Sequence, residues 1–213
     1  MSQPYRNNRG FTLIELAVSI GIASIILGVV LWNQSIYNDG ASLTNLADEI
    51  GSTVSQAQVY GIGVKEFSPG SNNFGTPYGL HFYLPGLQGS NKSYIYFADL
   101  NKSKTYTGTL NCSTSAECLS KVDFTRDNYI SRLCTVATPN TVDCINSSIG
   151  GVGGVDISFA RPSIEAQLVL FNATGALINS PPPGLIGVKI ELTSPKGAVR
   201  SVTVYKTGQV SVQ

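Results

Sequence analysis

Four sets of residues in this chain of 213 carry side chains with chemistry to offer. Glu15 is the only charge between Phe11 and Trp32, a run without Pro, Lys or Arg. An acid at the centre of a membrane-spanning helix costs on the order of 2.5–3.5 kcal/mol, less near its end, so this carboxylate calls for a cationic partner. The four cysteines, Cys112, Cys118, Cys134 and Cys144, offer either disulfides or a thiolate metal site. No pair is spaced CxxC and His81 is the sole histidine, so zinc is not expected. Four cysteines admit more than one pairing. The local pairs Cys112–Cys118 and Cys134–Cys144 are expected because each closes a short polar loop. Asp99, Asn101 and Ser103 place oxygens at alternate positions as calcium loops do, but Lys102 and Lys104 oppose a cation and the central Gly and closing Glu are missing. A plain hairpin loop is expected there. Lys196, Arg200 and Lys206 could bind phosphates without reading sequence, or form a solvated edge that discourages strand addition.

Catalytic machinery is missing from this inventory. His81 lies in an alternating run beside Phe82, where a structural or exposed role is expected. No Ser or Cys has the setting of an activated nucleophile, and no glycine-rich phosphate loop follows a strand. The chain reads as a non-enzyme without a cofactor or bound metal.

The elements that must position these residues begin with the apolar run itself. Phe11–Trp32 as a helix reaches ~33 Å, enough to cross a bilayer's hydrocarbon core. Beyond it Ile36, Leu43, Leu46, Ile50, Val54 and Ala57 recur at helical spacings among Asp39, Asn45, Asp48, Glu49 and Gln56. This predicts an amphipathic continuation over residues 33–60, stopped by Gly61, with Asn38-Asp39-Gly40 as a place to kink. A Gly/Ser/Pro/Asn-rich connector follows. Strands are predicted over Leu80–Leu84, Tyr94–Phe97, Val155–Phe159, Ala166–Phe171, Leu185–Leu192, Val199–Tyr205 and Gln209–Val212, with turn material between them. Lys104–Gly154 reads as disulfide-pinned loops with one short strand near Tyr129–Leu133. The fold class is α+β: a long N-terminal helix packed on an antiparallel sheet formed within residues 61–213.

Hydrophobic residues make up 42% of the chain and charged residues 13%, a globular composition. The net charge of +1 becomes −1 without Arg6 and Arg9, so nothing in bulk demands nucleic acid or an anionic surface. Arg6 and Arg9 precede the apolar run and hold that end in the cytoplasm, which puts everything after Trp32 outside. All four cysteines then fall where disulfides persist.

A secretory signal peptide places its small-residue cleavage site after the apolar core. Here Gly10 comes before it. Gly10-Phe11-Thr12-Leu13-Ile14-Glu15 resembles the class III signal of type IV pilins and type II secretion pseudopilins, over about the first thirty residues. The resemblance implies that a prepilin peptidase removes residues 1–10, cutting after Gly10, and methylates the new amine of Phe11. It implies that Glu15 pairs with the terminal amine of a neighbouring subunit during assembly. Residues 11–32 would be stored in the cytoplasmic membrane and later packed in the core of a helical filament of pilin or pseudopilin subunits, with an assembly platform protein as a further partner. The Pro that many major pilins carry late in this helix stands as Trp32, which leans the reading toward a minor pilin or pseudopilin. The element order also resembles the H-type pseudopilin and its FimT-like relatives. Some of those capture DNA through a basic C-terminal loop, which makes Lys196, Arg200 and Lys206 candidate DNA contacts.

Overall fold

A computed structural model describes residues 10–63, 65–85, 90–144 and 151–213, with the backbone alone at Asn33, Ser35 and Ile36. Arg6, Arg9, the Gly86 and Gly89 turn positions and the side chain of Ile36 lie outside the described residues. A single helix, α1 (Leu13–Ile62), contributes its residues up to Asn38 to one compact unit and the rest to a second unit, Asp39–Gln213.

The first unit is helix with apolar side chains on every side. Leu13, Ile14, Val18, Ile22, Ile25, Val29 and Leu31 are all more than half exposed, a distribution found where the surroundings are lipid or other helices. Ser19 and Ser24 satisfy themselves internally, Ser19 Oγ donating to the Glu15 carbonyl and Ser24 Oγ to the Ile20 carbonyl, each at 2.8 Å.

The second unit holds the packed core. Among the described residues, ten strands follow the helix: β1 (Tyr78–Tyr83), β2 (Ser93–Ala98), β3 (Cys118–Asp123), β4 (Tyr129–Ala137), β5 (Thr141–Asp143), β6 (Gly154–Phe159), β7 (Ala166–Phe171), β8 (Leu185–Thr193), β9 (Val199–Tyr205) and β10 (Val210–Val212). They form two five-stranded sheets and not one, in the orders β3-β2-β1-β6-β7 and β10-β9-β8-β4-β5, and every pairing is antiparallel. Leu43, Leu46, Ala47, Ile50, Val54 and Ala57 of α1 are buried against both sheets, with Leu80, Phe82, Ile157 and Phe159 from the first and Ile190, Leu192, Val202 and Val204 from the second. Burying each such side chain contributes about 1.5–3 kcal/mol, so this one core carries the unit.

Three differences from the sequence pattern have physical causes. Asp39 is buried instead of lying on the polar face of the helix. Gly61 lies inside the helix and is not its stop: a Cβ there would sit 2.2 Å from the Phe159 carbonyl oxygen, so glycine is required for the helix to approach β6. The segment read as loops contains two further strands, β3 and β5, and β4 is nine residues long. β3 (CLSKVD) is a polar edge strand with mostly exposed side chains, and a strand that buries neither face leaves little periodic signal. The hairpin turns Ser194–Gly197 and Tyr205–Gly208 place Gly197 and Gly208 at φ 85°, the left-handed region glycine favours.

Candidate functional site

The start of α1 is built by a short sequence-local device. Thr12 precedes the helix, and its Oγ1 accepts the backbone N–H of Glu15 at 3.3 Å while its carbonyl accepts the first helical bond from Leu16 at 3.2 Å. Thr12 is therefore the N-cap and Glu15 the third helical residue, the spacing of a capping box. The cap fixes where the helix begins, and so leaves Gly10 and Phe11 outside it, non-helical and exposed. Phe11 is 83% exposed. A peptide bond between these two residues is open to a protease that needs extended chain.

The same geometry sets the electrostatics of Glu15. Its carboxylate stands in the first turn, where the unpaired N–H groups of the helix end favour negative charge. Among the described residues it forms no side-chain hydrogen bond or ion pair. It is surrounded along the helix by Leu13, Ile14, Leu16 and Val18, all exposed. A free amine at Phe11 would be disfavoured by its own helix end, which carries partial positive charge, and suited to a carboxylate elsewhere.

One further feature of this segment escapes a search for chemical groups. Ala17, Gly21, Ser24 and Gly28 recur at intervals of four, three and four residues, which places them on one face. A Cβ at Gly21 or Gly28 would meet nothing. The small-residue spacing was available in the sequence and is obscured there by the hydrophobicity around it.

The remaining sequence-derived residues fall in separate places in the second unit. Cys112 is bonded to Cys118 at the entry to β3, and Cys134 to Cys144 where β5 leaves β4. Glu191 lies close to the second disulfide, but those sulfurs are bonded to each other and the Glu191 carboxylate is held by Arg132 Nε at 2.6 Å and Lys189 Nζ at 3.4 Å. Asp99 is buried, and both its oxygens are occupied by backbone donors, Ser103 N–H at 2.9 Å and Lys104 N–H at 2.7 Å; Asn101 also accepts from Ser103. The carboxylate closes the loop on itself instead of facing a cation.

His81 is buried and its Nδ1 contacts Asp156 Oδ1, and the other Asp156 oxygen accepts the Tyr106 N–H at 2.7 Å. Tyr83 and Tyr106 flank the imidazole at ring-centroid distances of 4.5 and 5.0 Å. The pair ties a loop to a sheet, a structural task.

The three basic residues do not converge. Lys196 and Arg200 stand at the β8–β9 turn, and Arg200 Nε donates to Thr44 Oγ1 on α1 at 3.2 Å. Lys206 stands at the other end of β9, about 20 Å away along the strand. They form two separate positive points and no single patch.

Comparison with known proteins bears on the N-terminal segment. The family model described as the prokaryotic N-terminal methylation motif matches residues 5–31. No curated protein and no solved structure matches the chain. The matched motif is the type IV pilin and pseudopilin signal. It implies processing by a prepilin peptidase and assembly with other pilins into pilus-like filaments, and points to a structural subunit rather than an enzyme. With the long apolar helix it fits a single-pass membrane-anchored protein.

Proposed function

From the premise that the chain carries the type IV pilin and pseudopilin signal, we propose that it is a minor subunit of a type IV pilus-like filament or a type II secretion pseudopilus. A prepilin peptidase cuts between Gly10 and Phe11 and methylates the Phe11 amine. Residues 11–32 hold the processed chain in the cytoplasmic membrane with residues 33–213 on the far side, until an assembly platform moves it into the filament. There the apolar helices of neighbouring copies replace lipid around it, and the face bearing Ala17, Gly21, Ser24 and Gly28 lets a neighbouring backbone approach closely. Trp32 at the end of the segment, where many major pilins carry Pro, supports the minor assignment.

The single observation that carries this reading is the Glu15 carboxylate, set without a partner among the described residues at the start of a helix that is apolar on every side. In lipid or in a filament core such a group is tolerable when a cation pairs with it, and removing the partner of a buried charge costs about 3–5 kcal/mol. The amine of a neighbour's Phe11 supplies that cation. Glu15→Ala should be processed at Gly10–Phe11 normally and enter filaments at a small fraction of the wild-type level, read by immunoblot of membrane and sheared fractions. Normal incorporation of Glu15→Ala would remove the role given to this residue. Mass spectrometry of the sheared fraction tests the minor assignment, since a chain that dominates the filament is its major subunit.

A further inference from the structure

One end of the second unit is marked by the bonds that tie its connections to the start of α1 within it. Thr125 Oγ1 lies 3.4 Å from Ser42 Oγ, Asn128 Nδ2 donates to the same hydroxyl at 3.2 Å, and Arg200 Nε donates to Thr44 Oγ1 at 3.2 Å. The Phe124 N–H donates to the Lys92 carbonyl at 2.8 Å, which brings the start of β2 to the same turn. Tyr129, Thr193 and Val199 stand side by side at the ends of β4, β8 and β9, so the segments 124–128 and 194–198 leave the second sheet together. The unit begins at Asp39, so this is the end at which the chain enters it.

Cations gather there. Lys92, Arg126, Lys196 and Arg200 are all exposed. Lys92 is paired with Asp127 at 2.9 Å, and Lys121 nearby with Asp123 at 2.8 Å. Arg126 and Arg200 form no ion pair among the described residues, so together with Lys196 they give this end its sign. Of the acids on α1, Asp39 is buried, and Asp48 and Glu49 lie about one turn further along the helix than Thr44. Residues 33–213 carry as many acids as bases, so the excess reflects placement and not composition.

Chain length decides what meets this end. Only residues 33–38 separate Trp32 from the unit, a span of at most about 25 Å when fully extended. A membrane that holds residues 11–32 is therefore a tethered neighbour. Its anionic headgroups carry the opposite charge, and they attract basic side chains over a Debye length, about 10 Å at 0.1 M salt. The tether supplies the effective concentration that lets a few weak contacts suffice.

We propose that Arg126, Lys196 and Arg200 form a surface that binds the headgroup phosphates of anionic phospholipids and so orients the second unit on the membrane. The proposal rests on the reading that residues 11–32 are held in that membrane.

The test places the full chain in nanodiscs of phosphatidylglycerol or of phosphatidylcholine, acetylates its lysines and reads each by mass spectrometry. In about 0.1 M salt Lys196 should react at least about fivefold more slowly in phosphatidylglycerol, the factor one basic residue gains at an anionic surface. Lys206, at the other end of β9, should react alike in both. About 1 M salt should abolish the difference. Arg126→Glu and Arg200→Glu should each restore most of the Lys196 labelling. If Arg200→Glu does not fold, Arg126→Glu, at an exposed turn position, decides alone. Equal labelling of Lys196 in the two lipids overturns the proposal, as does a slowing shared by Lys206 or one that the variants keep. Equal protection by double-stranded DNA added to phosphatidylcholine discs would make this a nucleic-acid surface and overturn the lipid assignment. Retention in the discs separates the two readings. A chain retained without protection of Lys196 refutes the surface alone, whereas a chain absent from both discs refutes the anchoring and the surface with it.

Discussion

His81 and Asp156 face each other directly across β1 and β6, and their side chains meet at 2.5 Å between Nδ1 and Oδ1. The contact is on the side of the sheet turned away from α1. That side is closed by the loop that follows β2, whose Tyr106 joins a small apolar cluster with Ile95 and Phe97. Asp156 thus binds a cross-strand neighbour with one oxygen and the loop backbone with the other.

Replacing Asp156 by alanine therefore removes two partners at once and leaves the His81 ring and the Tyr106 N–H buried and unpaired. Asp156→Ala should lose about 3 kcal/mol of stability, measured by denaturant unfolding. Limited proteolysis should then cut between Asp99 and Glu117 at denaturant concentrations where the wild type resists. A loss below about 0.5 kcal/mol, the range of ordinary surface changes, would show that the contact is incidental.

Two glycines of α1 should respond in opposite directions to the same change. At Gly61 an added Cβ meets the Phe159 carbonyl oxygen at 2.2 Å, and at Gly40 it meets nothing within 4 Å. Gly61→Ala should destabilise by about 1–3 kcal/mol through forced displacement of helix from sheet. Gly40→Ala should stabilise by about 0.5–1 kcal/mol, because a mid-helix glycine carries an entropic penalty. Thermal unfolding of both variants decides it, and a matching sign would discredit the packing described at β6.

The N-cap predicts a local effect. Thr12→Ala removes the acceptor for the Glu15 N–H and should weaken the first turn by about 1 kcal/mol. Amide exchange of the chain in micelles should accelerate at Glu15 and remain unchanged beyond Ser19. Unchanged exchange at Glu15 would mean the cap is not what fixes the helix start.

The residues that were legible in the sequence are those whose signal is local. The onset of α1 could be read because the small residue, the lone charge and the start of the apolar run lie within a few residues of one another. Strands β7 and β9 were placed with their observed bounds, since apolar runs between strong turn residues define them. What the sequence concealed depends on contacts between distant segments. Gly61 resembles a helix stop until β6 is brought against it. Asp39 resembles a member of the polar face, yet in the folded second unit it is buried. The partition into two sheets was equally hidden, because β4 pairs with β8 and β1 with β6, across long intervals of chain that no local pattern records.

Alkaline titration provides a last check on the core, with a sign fixed by burial. Tyr83 is pushed up to about 12 from an ordinary 10.0, first by burial and then by the nearby Asp156 charge. Tyr78, Tyr94, Tyr96 and Tyr106 are raised too, each chiefly by burial. Tyr60, partly buried at the edge of the core, moves the other way, lowered first by its hydrogen bond from Gln56 and then by Lys65. An acid whose folded pKa is raised keeps its proton longer in the native state than in the unfolded chain. Its contribution is complete below about pH 10 and disappears as pH rises toward about 12. Stability should therefore be insensitive to these tyrosines at neutral pH and fall steeply above about pH 10. Tyrosinate absorbance should rise in two stages, Tyr60 and the exposed rings ionising first in the folded protein and the buried rings only together with loss of the sheet's circular dichroism. If all ten tyrosines ionise reversibly in one early stage while the circular dichroism stays native, the rings between the loop and the sheet are not shielded as the structure shows.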